Sequence, residues 1–396
     1  MTRARPLSFG PKWPLGLFLG LLLSLQGLVL AGCSHSPKPK TLSLEKRGAR
    51  SILAEPHYGS RRIHRMQPVV TDNLVIVGNA LDGLVAYDRE HFNERWRLQL
   101  RGGVEAGAEW VGPYLFFAAN DGHFYSVAVE TGKVLWSYPI RSEGIGQATF
   151  SNGVVYFVAG NNVLHALNAE DGNSLWIYSR RELSQFSIRG ASRPTVEGQQ
   201  VYAGFSDGSL VALDRNTGRV DWEVNLAGSQ RRFRDVDAQP IVDGDRIYVS
   251  SYDGSLYALN RSNGQILWRL EEGGFNPVTL EGNRIYYSTS NGQLLALEKS
   301  SGQLIWSQPL ESQVGTRPQL FRGLVVVGEY TGQLRVFEAQ SGEPLAEFNP
   351  GRGVTGQPWI DPDTGKIMFI SADANLFSLR LGWRDPSPLP TWWRSF

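Results

Sequence analysis

Cysteine is almost absent from this 396-residue sequence, in which Cys33 is the only one. A single cysteine excludes an intramolecular disulfide and the thiol pairs of many zinc and redox sites. The six histidines show no close pair, so metal-ligand spacing is absent as well. Charge of one sign is also lacking, because 39 Lys and Arg residues face 38 Asp and Glu residues. That balance gives no support for bulk electrostatic attraction to nucleic acid.

Glycine and tryptophan, in contrast, are frequent and periodic. Six tryptophans are separated by 40, 40, 46, 46 and 38 residues: Trp96, Trp136, Trp176, Trp222, Trp268 and Trp306. In a typical copy, Asp121-Gly122 gives a hairpin signal and Gly132 a second turn shortly before Trp136. A period near 40 with about four strands per unit is typical of a β-propeller. We therefore predict an all-β fold, an eight-bladed β-propeller with four-stranded antiparallel blades.

Three copies of the repeat are degenerate. The first has Phe92 where glycine is expected, and the seventh has Ala346 in place of tryptophan. The eighth lacks its outer strand, which the segment Thr41–Lys46 is a candidate to supply, because closing the ring would hide an open sheet edge. The blades are predicted at approximately 66–100, 101–140, 141–180, 181–225, 226–270, 271–310, 311–348 and 349–382.

A leader precedes the repeats. Arg3, Arg5 and Lys12 form a positive front, and the almost wholly apolar run 14–30 follows it. A membrane-spanning anchor is one interpretation, but a cleaved secretory leader is favoured because small residues and a polar, Pro-containing linker follow. The predicted organisation is a signal peptide over 1–32, a tether over 33–45, the propeller over 46–382 and a Pro/Trp-rich tail over 383–396. The tail either folds back onto the propeller or forms a small docking motif.

Two adjacent blades carry six extra residues in the same connection. The segment from Trp176 to Pro194, like that from Trp222 to Pro240, takes 18 residues where other blades take 12. Both insertions should therefore emerge on one rim, and insertions in repeat proteins tend to mark the working face. They contain the segments 184–190 and 231–237, in which apolar residues lie beside Arg and Asp, as in a protein-docking patch. The alternative is that Arg and Asp side chains pair with each other and stiffen neighbouring loops.

Two strings that match catalytic motifs lie in the wrong structural context. The run 204–208 matches the Gly-x-Ser-x-Gly nucleophile elbow, which needs a strand-to-helix turn, but it lies at the hairpin that every blade repeats. The run 351–356 matches a dinucleotide fingerprint, yet Gln357-Pro358-Trp359 follows and prevents a helix. We therefore predict no catalytic residues.

The leader and the repeat each resemble those of known families. Leu30-Ala31-Gly32-Cys33 looks like the lipobox of bacterial lipoproteins, which implies cleavage before Cys33 and lipid on that residue. Ser34 in the next position resembles lipoproteins forwarded to the outer membrane. Propellers with Gly-x-x-x-Trp in each blade resemble the pyrroloquinoline-quinone dehydrogenase superfamily, whose members usually carry adjacent cysteines over the cofactor. This chain lacks such a pair.

A closer resemblance, over nearly the whole mature chain, is to the BamB family of lipoproteins of the outer-membrane β-barrel assembly machinery. The segments 187–194 (Ser-Ile-Arg-Gly-Ala-Ser-Arg-Pro) and 235–237 (Asp-Val-Asp) are similar to two segments of that family. In the family these bind the periplasmic repeats of the central barrel-assembly protein, BamA. The resemblance implies the partner-binding residues Phe186, Ile188, Arg189, Asp235 and Asp237. Phe186 and Ile188 replace leucines of the family, and the Trp-rich tail is an addition.

The resemblance implies a non-enzymatic scaffold without cofactor or metal. It would be lipid-anchored to the outer membrane, face the periplasm, and aid the folding and insertion of outer-membrane β-barrel proteins. Its expected partners are a BamA-like protein, unfolded outer-membrane proteins and the membrane itself, with no nucleic acid. The alternatives are a quinoprotein dehydrogenase and a small-ligand-binding periplasmic propeller.

Overall fold

In the part of the chain that the structure describes, runs of β-branched and aromatic residues separated by glycine turns form 32 strands. The computed structural model describes residues 40–56, 63–180, 191–227, 235–252 and 254–384. In these residues all the strands fall into eight four-stranded antiparallel sheets, which confirms the predicted eight-bladed propeller. The described part of the chain has no helix of the length and apolar character needed to cross a membrane.

The first strand along the chain, β1 (Thr41–Ser51), belongs to the last blade. Blades 1 to 4 follow in chain order, each from its innermost to its outermost strand. Their strands are β2 (Val69–Val70), β3 (Leu74–Asn79), β4 (Gly83–Asp88), β5 (Glu94–Gln99); β6 (Glu109–Val111), β7 (Tyr114–Ala118), β8 (His123–Ala128), β9 (Val134–Pro139); β10 (Thr149–Ser151), β11 (Val154–Ala159), β12 (Val163–Asn168), β13 (Ser174–Ser179); β14 (Thr195–Glu197), β15 (Gln200–Gly204), β16 (Ser209–Asp214) and β17 (Val220–Asn225).

Blades 5 to 7 repeat this order, and blade 8 consists of three strands from the end of the repeats plus β1. Their strands are β18 (Ile241–Asp243), β19 (Arg246–Ser250), β20 (Leu256–Asn260), β21 (Ile266–Leu270); β22 (Thr279–Glu281), β23 (Arg284–Ser288), β24 (Gln293–Glu298), β25 (Leu304–Pro309); β26 (Gln319–Phe321), β27 (Leu324–Gly328), β28 (Leu334–Glu338), β29 (Pro344–Phe348); β30 (Trp359–Ile360), β31 (Lys366–Ile370) and β32 (Asn375–Arg384).

The core lies between blades rather than inside any one sheet. The two middle strands of a blade, such as β3 and β4, are buried at almost every position because neighbouring blades cover both of their faces. Outer strands such as β13 alternate between exposed and half-buried residues. Aromatic rings fill the wedge between sheets, as where Phe124 of blade 2 stacks on Phe157 of blade 3 with ring centroids 4.0 Å apart. Apolar contact between blades therefore stabilises the ring.

Each repeated tryptophan packs on the turn glycine of the following blade. The indole of Trp136 lies so close to Gly172 that a Cβ there would come within 2.6 Å of the ring. Its Nε1 donates a hydrogen bond of 3.1 Å to the carbonyl of Ala169 in the same turn. Gly172 has a φ of 75°, so glycine is required both by the backbone and by the indole. The same stack recurs for all six tryptophans, on Gly132, Gly172, Gly218, Gly264, Gly302 and Gly342.

The ring closes through β1, which pairs antiparallel with β32 over the whole strand from Thr41 to Ser51. The segment suggested as the closing strand is confirmed, and the strand extends five residues beyond it. Gly48 pairs with Ser378 across this seam, just as Trp136 pairs with Ser126 in blade 2. By register, therefore, Gly48 stands where the other blades carry tryptophan.

The seam inverts the usual pair of large and small residues. Phe92 occupies the turn-glycine position of blade 1 with a φ of 56°, and its ring lies 3.5 Å from a Cβ built on Gly48. Ala346 replaces tryptophan in blade 7 because blade 8 offers no corresponding turn: its third and fourth strands, β32 and β1, come from opposite ends of the chain. The degenerate positions of the repeat thus map onto the closure.

Candidate functional site

The two long connections are confirmed as equivalent in the ring. Residues 180–194 join β13 to β14, and residues 226–240 join β17 to β18, so each spans fifteen residues. Five of the other such connections span eight to ten residues, and the one at the seam, from β1 to β2, spans seventeen. Because every blade runs in the same direction, all connections from an outermost to the next innermost strand lie on one face. Blades 4 and 5 therefore carry extra chain side by side on that face, which we call the connection face.

Blade 4 holds the start of the first long connection through Arg180. The Nε of Arg180 donates to Asp207 at 2.7 Å, and its Nη1 lies 2.9 Å from Glu223. Burial opposes its charge, but the hydrogen bonds with Glu223 and Asp207 outweigh it and raise the pKa of Arg180 above its usual value. Asp207 also accepts from the backbone amide of Ser209, as expected of a turn aspartate. The start of the first long connection, where it leaves blade 3, is thus held against blade 4.

The ends of both connections are joined where they re-enter the ring. The hydroxyl of Ser192 donates to the carbonyl of Ala238 at 3.0 Å, and both residues are buried. Val236 is buried and its amide donates to the carbonyl of Phe205 at 3.1 Å. A Cβ on Gly204 would come within 2.1 Å of the Val236 carbonyl oxygen, so a glycine is needed there for this approach. The second connection is therefore packed tightly onto blade 4.

The predicted site residues fall into two groups. Cys33, Phe186, Ile188 and Arg189 lie outside the described residues. Asp235 is fully buried, with 0% of its surface exposed, and its carbonyl accepts from the amide of Tyr252 at 3.1 Å. Asp235 is therefore an interior residue of the second connection, which its backbone joins to blade 5.

Asp237 lines a cavity of about 340 Å³ at the centre of the ring. Burial raises the pKa of Asp237 to about 8, the nearby charge of Asp235 adds to the rise, and Arg65 opposes it. The side chain of Asp237 is partly exposed, and its exposed surface faces the cavity. A carboxyl group with a raised pKa keeps its proton more readily than an ordinary aspartate, and in that form it can donate a hydrogen bond.

The cavity is lined by one residue from each blade, two positions ahead of the innermost strand. We call these eight residues the channel ring: Gln67, Gly107, Gln147, Arg193, Gln239, Pro277, Arg317 and Gln357. Several reach back to the preceding blade; the amide of Gln147, for example, donates to the carbonyl of Ala108, and that of Gln239 to the hydroxyl of Thr195. The two long connections lead directly into this ring, at Arg193 and Gln239.

The lining does not fit the quinone cofactor that the wider resemblance implies. Among the described residues that line it there is no cysteine to cover such a group, and the two carboxylates there, Glu105 and Asp237, are not accompanied by histidine. Across the described ranges, no cluster of three or more His, Cys, Asp or Glu side chains is placed to hold a metal ion. We therefore derive no reaction from this cavity.

Comparison with known proteins agrees with the architecture. The family model described as outer membrane protein assembly factor BamB matches residues 81–302 and 253–349, more than half of the chain. The chain belongs to the BamB family. BamB of Moranella endobia is 27% identical over 41% of this chain and 44% of its own length, and that of Nitrosomonas eutropha 30% identical over 40% and 39%. These two alignments thus span less than half of the relatives' length, whereas BamB of Shewanella oneidensis is 24% identical over 76% of this chain and 80% of its own.

Solved structures share the fold. BamB from Moraxella catarrhalis superposes with a TM-score of 0.72 at 19% identity, covering 85% of this chain and 99% of that one. Quinohemoprotein alcohol dehydrogenase from Comamonas testosteroni gives 0.70 at 15% identity, covering 88% and 78%. At these identities the superpositions show a shared propeller fold and nothing further.

The channel ring was missed in the sequence, although a signal for it exists. In six blades a Gln or Arg stands immediately before a proline or alanine that opens the innermost strand, as in Gln147-Ala148, Arg193-Pro194 and Arg317-Pro318. In the sequence analysis the prolines marked only the ends of the connections. Membership of the BamB family does not by itself identify the Gln and Arg residues that precede them.

Proposed function

We propose that this protein is a non-enzymatic scaffold of the outer-membrane β-barrel assembly machinery. It docks the periplasmic repeats of a BamA-like protein and so aids the folding and insertion of outer-membrane β-barrel proteins. Membership of the BamB family supports the assignment, since the relatives are described as outer membrane protein assembly factors. Unfolded outer-membrane proteins are a second class of partner in this proposal.

The observation that carries the docking proposal is the pair of long connections on one face. They are adjacent, equally long and tied together through Ser192 and Ala238. A rigid base of this kind lowers the entropy lost when a loop is ordered on binding. We assign the contact to Phe186, Ile188 and Arg189 of the first connection, with apolar groups for the desolvated centre and Arg189 for charge-assisted bonds.

Asp235 and Asp237 enter the proposal as residues of the second connection. Because Asp235 is fully buried and Asp237 faces the cavity, we assign them to positioning this connection against blade 4 rather than to the outer contact. Removing a buried carboxylate and its partners' bonds should disturb the loop that it supports.

A lipid anchor on Cys33 would hold the scaffold at the outer membrane on its periplasmic side. The proposal rests on the lipobox-like run ending at Cys33 and on the tether that follows it. Several acyl chains on one residue give durable attachment where one chain is marginal.

Co-purification of the BamA-like protein from membranes tests the docking site. Arg189→Ala should weaken the complex by roughly thirtyfold, the effect of losing about 2 kcal/mol at an interface hot spot. Asp235→Ala/Asp237→Ala should also reduce recovery, by disturbing the second connection. Arg219→Ala is the matched control, because Arg219 is an exposed arginine of blade 4 at a turn on the opposite face.

Undiminished recovery of the partner with folded Arg189→Ala would remove this residue from the interface. Equal loss with Arg219→Ala would show that the face is wrong, since that substitution leaves both long connections untouched. Circular dichroism of each purified variant separates lost contact from lost fold.

A further inference from the structure

The channel ring contains two arginines whose surroundings differ. Arg193 and Arg317 occupy the same position in blades 4 and 7, and each donates its Nε to a threonine of the preceding blade at 3.1 Å. Thr149 and Thr279 are these acceptors, and each begins an innermost strand. The two arginines therefore make the same hydrogen bond to the preceding blade.

The two arginines differ in their counter-ions. The Nη2 of Arg193 lies 2.7 Å from Glu109, the first residue of the innermost strand two blades back. The equivalent position for Arg317 is Ile241, the first residue of β18, which carries no charge. Within the residues that the structure describes, the guanidinium of Arg317 has no carboxylate partner. Burial lowers the pKa of Arg317 to about 10, and repulsion from Arg193 contributes to the shift.

The charged residues that line the cavity include arginines and carboxylates. The lining holds three arginines, at positions 65, 193 and 317. Glu109 neutralises Arg193, and Glu105 supplies one further negative charge at the lining. Burial and the nearby charge of Asp235 raise the pKa of Asp237 to about 8, which makes this carboxyl group a weaker acid than an ordinary aspartate. Arg317 is a partly buried cation at the cavity with no carboxylate partner among the described residues, and such a cation is costly to leave unpaired.

We propose that the centre of the propeller is a binding site for a small oxyanion, a carboxylate or phosphate group held by Arg317. Its planar guanidinium suits two parallel bonds to such a group. Side-chain amides of the channel ring, such as those of Gln147 and Gln239, offer further donors. The volume of about 340 Å³ fits a small molecule, in the range of ordinary ligand sites. The site shares Asp237 with the second long connection, but its central residue is Arg317 of blade 7, so the anion-binding test does not depend on the docking proposal.

Isothermal titration calorimetry with citrate and with inorganic phosphate, each against sodium chloride of equal ionic strength, tests the site. Wild-type protein should bind at least one of the two anions at one site per chain, and the stronger arm identifies the preferred group. Arg317→Gln, which makes this position like Gln147 and Gln239, should weaken binding at least tenfold. Arg269→Gln is the control, because Arg269 is exposed on the outer strand β21 and pairs there with Glu271.

A second pair of variants tests the missing counter-ion without changing Arg317. Ile241→Glu would place a carboxylate where Glu109 serves Arg193, and should weaken anion binding at least tenfold. Glutamine is nearly the same size as glutamate but carries no charge, so Ile241→Gln should keep most of the affinity for the anion.

Three results would overturn the proposal. They are no saturable binding of either anion above the chloride baseline, equal affinity in wild type and Arg317→Gln, and equal loss in the Glu and Gln variants at 241. If Arg317→Gln fails to fold, the arginine is structural, and the comparison at position 241 still decides whether the cavity binds anions.

Discussion

The inverted pair at the seam predicts that substitutions at positions 48 and 92 rescue each other. Six interfaces place an indole on a glycine, whereas the interface between blades 8 and 1 places Phe92 over Gly48. Phe92→Gly combined with Gly48→Trp would convert the seam into the arrangement of the other six. We expect each single variant to be destabilised and the double variant to regain much of the loss.

Opposing contributions determine the effect of Phe92→Gly. The ring is only partly buried, so losing it should cost less than the 3–5 kcal/mol typical of a core phenylalanine, about 2 kcal/mol. Loss of the contact with Lys366, whose Nζ lies 5.7 Å from the ring centroid, adds about 0.5 kcal/mol. Glycine relieves the φ of 56°, which returns about 1 kcal/mol. The net destabilisation should be about 1–2 kcal/mol.

Gly48→Trp alone should be overpacked. A Cβ at Gly48 is accommodated, 3.5 Å from the Phe92 ring, but the indole beyond it would meet that ring. Overpacking of this kind costs about 1–3 kcal/mol. In the double variant the indole has the space that Phe92 vacates, next to a depression of about 400 Å³ bounded by both residues. We expect a favourable coupling of about 2 kcal/mol, within the range of directly contacting residues.

Urea unfolding of the four proteins, followed by tryptophan fluorescence and circular dichroism, gives the double-mutant cycle. Coincident transitions by the two probes are needed for a single free energy of unfolding. Single effects that simply add in the double variant would refute the inverted pair. So would a Gly48→Trp protein as stable as wild type, because the indole would then not meet Phe92.

Two further predictions concern glycine and histidine. Gly172→Ala should destabilise by about 1–3 kcal/mol more than Gly153→Ala in urea unfolding, because both have positive φ but only a Cβ at 172 meets the Trp136 ring; equal effects would show that the indole yields. Burial lowers the pKa of His165, stacked on Phe157, to about 4, so the folded state resists a proton that the unfolded chain accepts near pH 6.5. Stability should therefore fall as pH drops from about 6.5 to about 4, by up to about 3 kcal/mol, and His165→Leu should flatten that part of the unfolding profile unless another group causes it.

Most of the fold was predictable because the repeat depends on interactions between residues that are close together in the chain. Turn residues such as Asp121-Gly122 and the spacing of the tryptophans fix the strands and their number, and the blades follow closely from them. The seam was harder to predict. Gly48 carries no sign of its role, since glycine marks the tryptophan position only once β1 is paired with β32.

For the candidate site, counting located the long connections, and the family resemblance singled out residues within them. Neither could tell that Asp235 is buried or that Asp237 faces the centre of the ring. Burial of a polar side chain depends on what packs over it. Here the hairpins of blades 4 and 5 are hydrogen-bonded to this connection through the backbones of Phe205 and Tyr252.

The amino-acid sequence by itself determined the number of blades, their strand order and the positions of the two insertions, because turn chemistry and strand periodicity act between near neighbours in the chain. Tertiary structure alone decided the register of the closing strand, which places Gly48 at the tryptophan position, and which charges meet at the centre of the ring. Arg193 finds Glu109 across 84 residues of chain. For Arg317 the equivalent position is Ile241, which carries no charge, and only the closed ring brings such distant positions together.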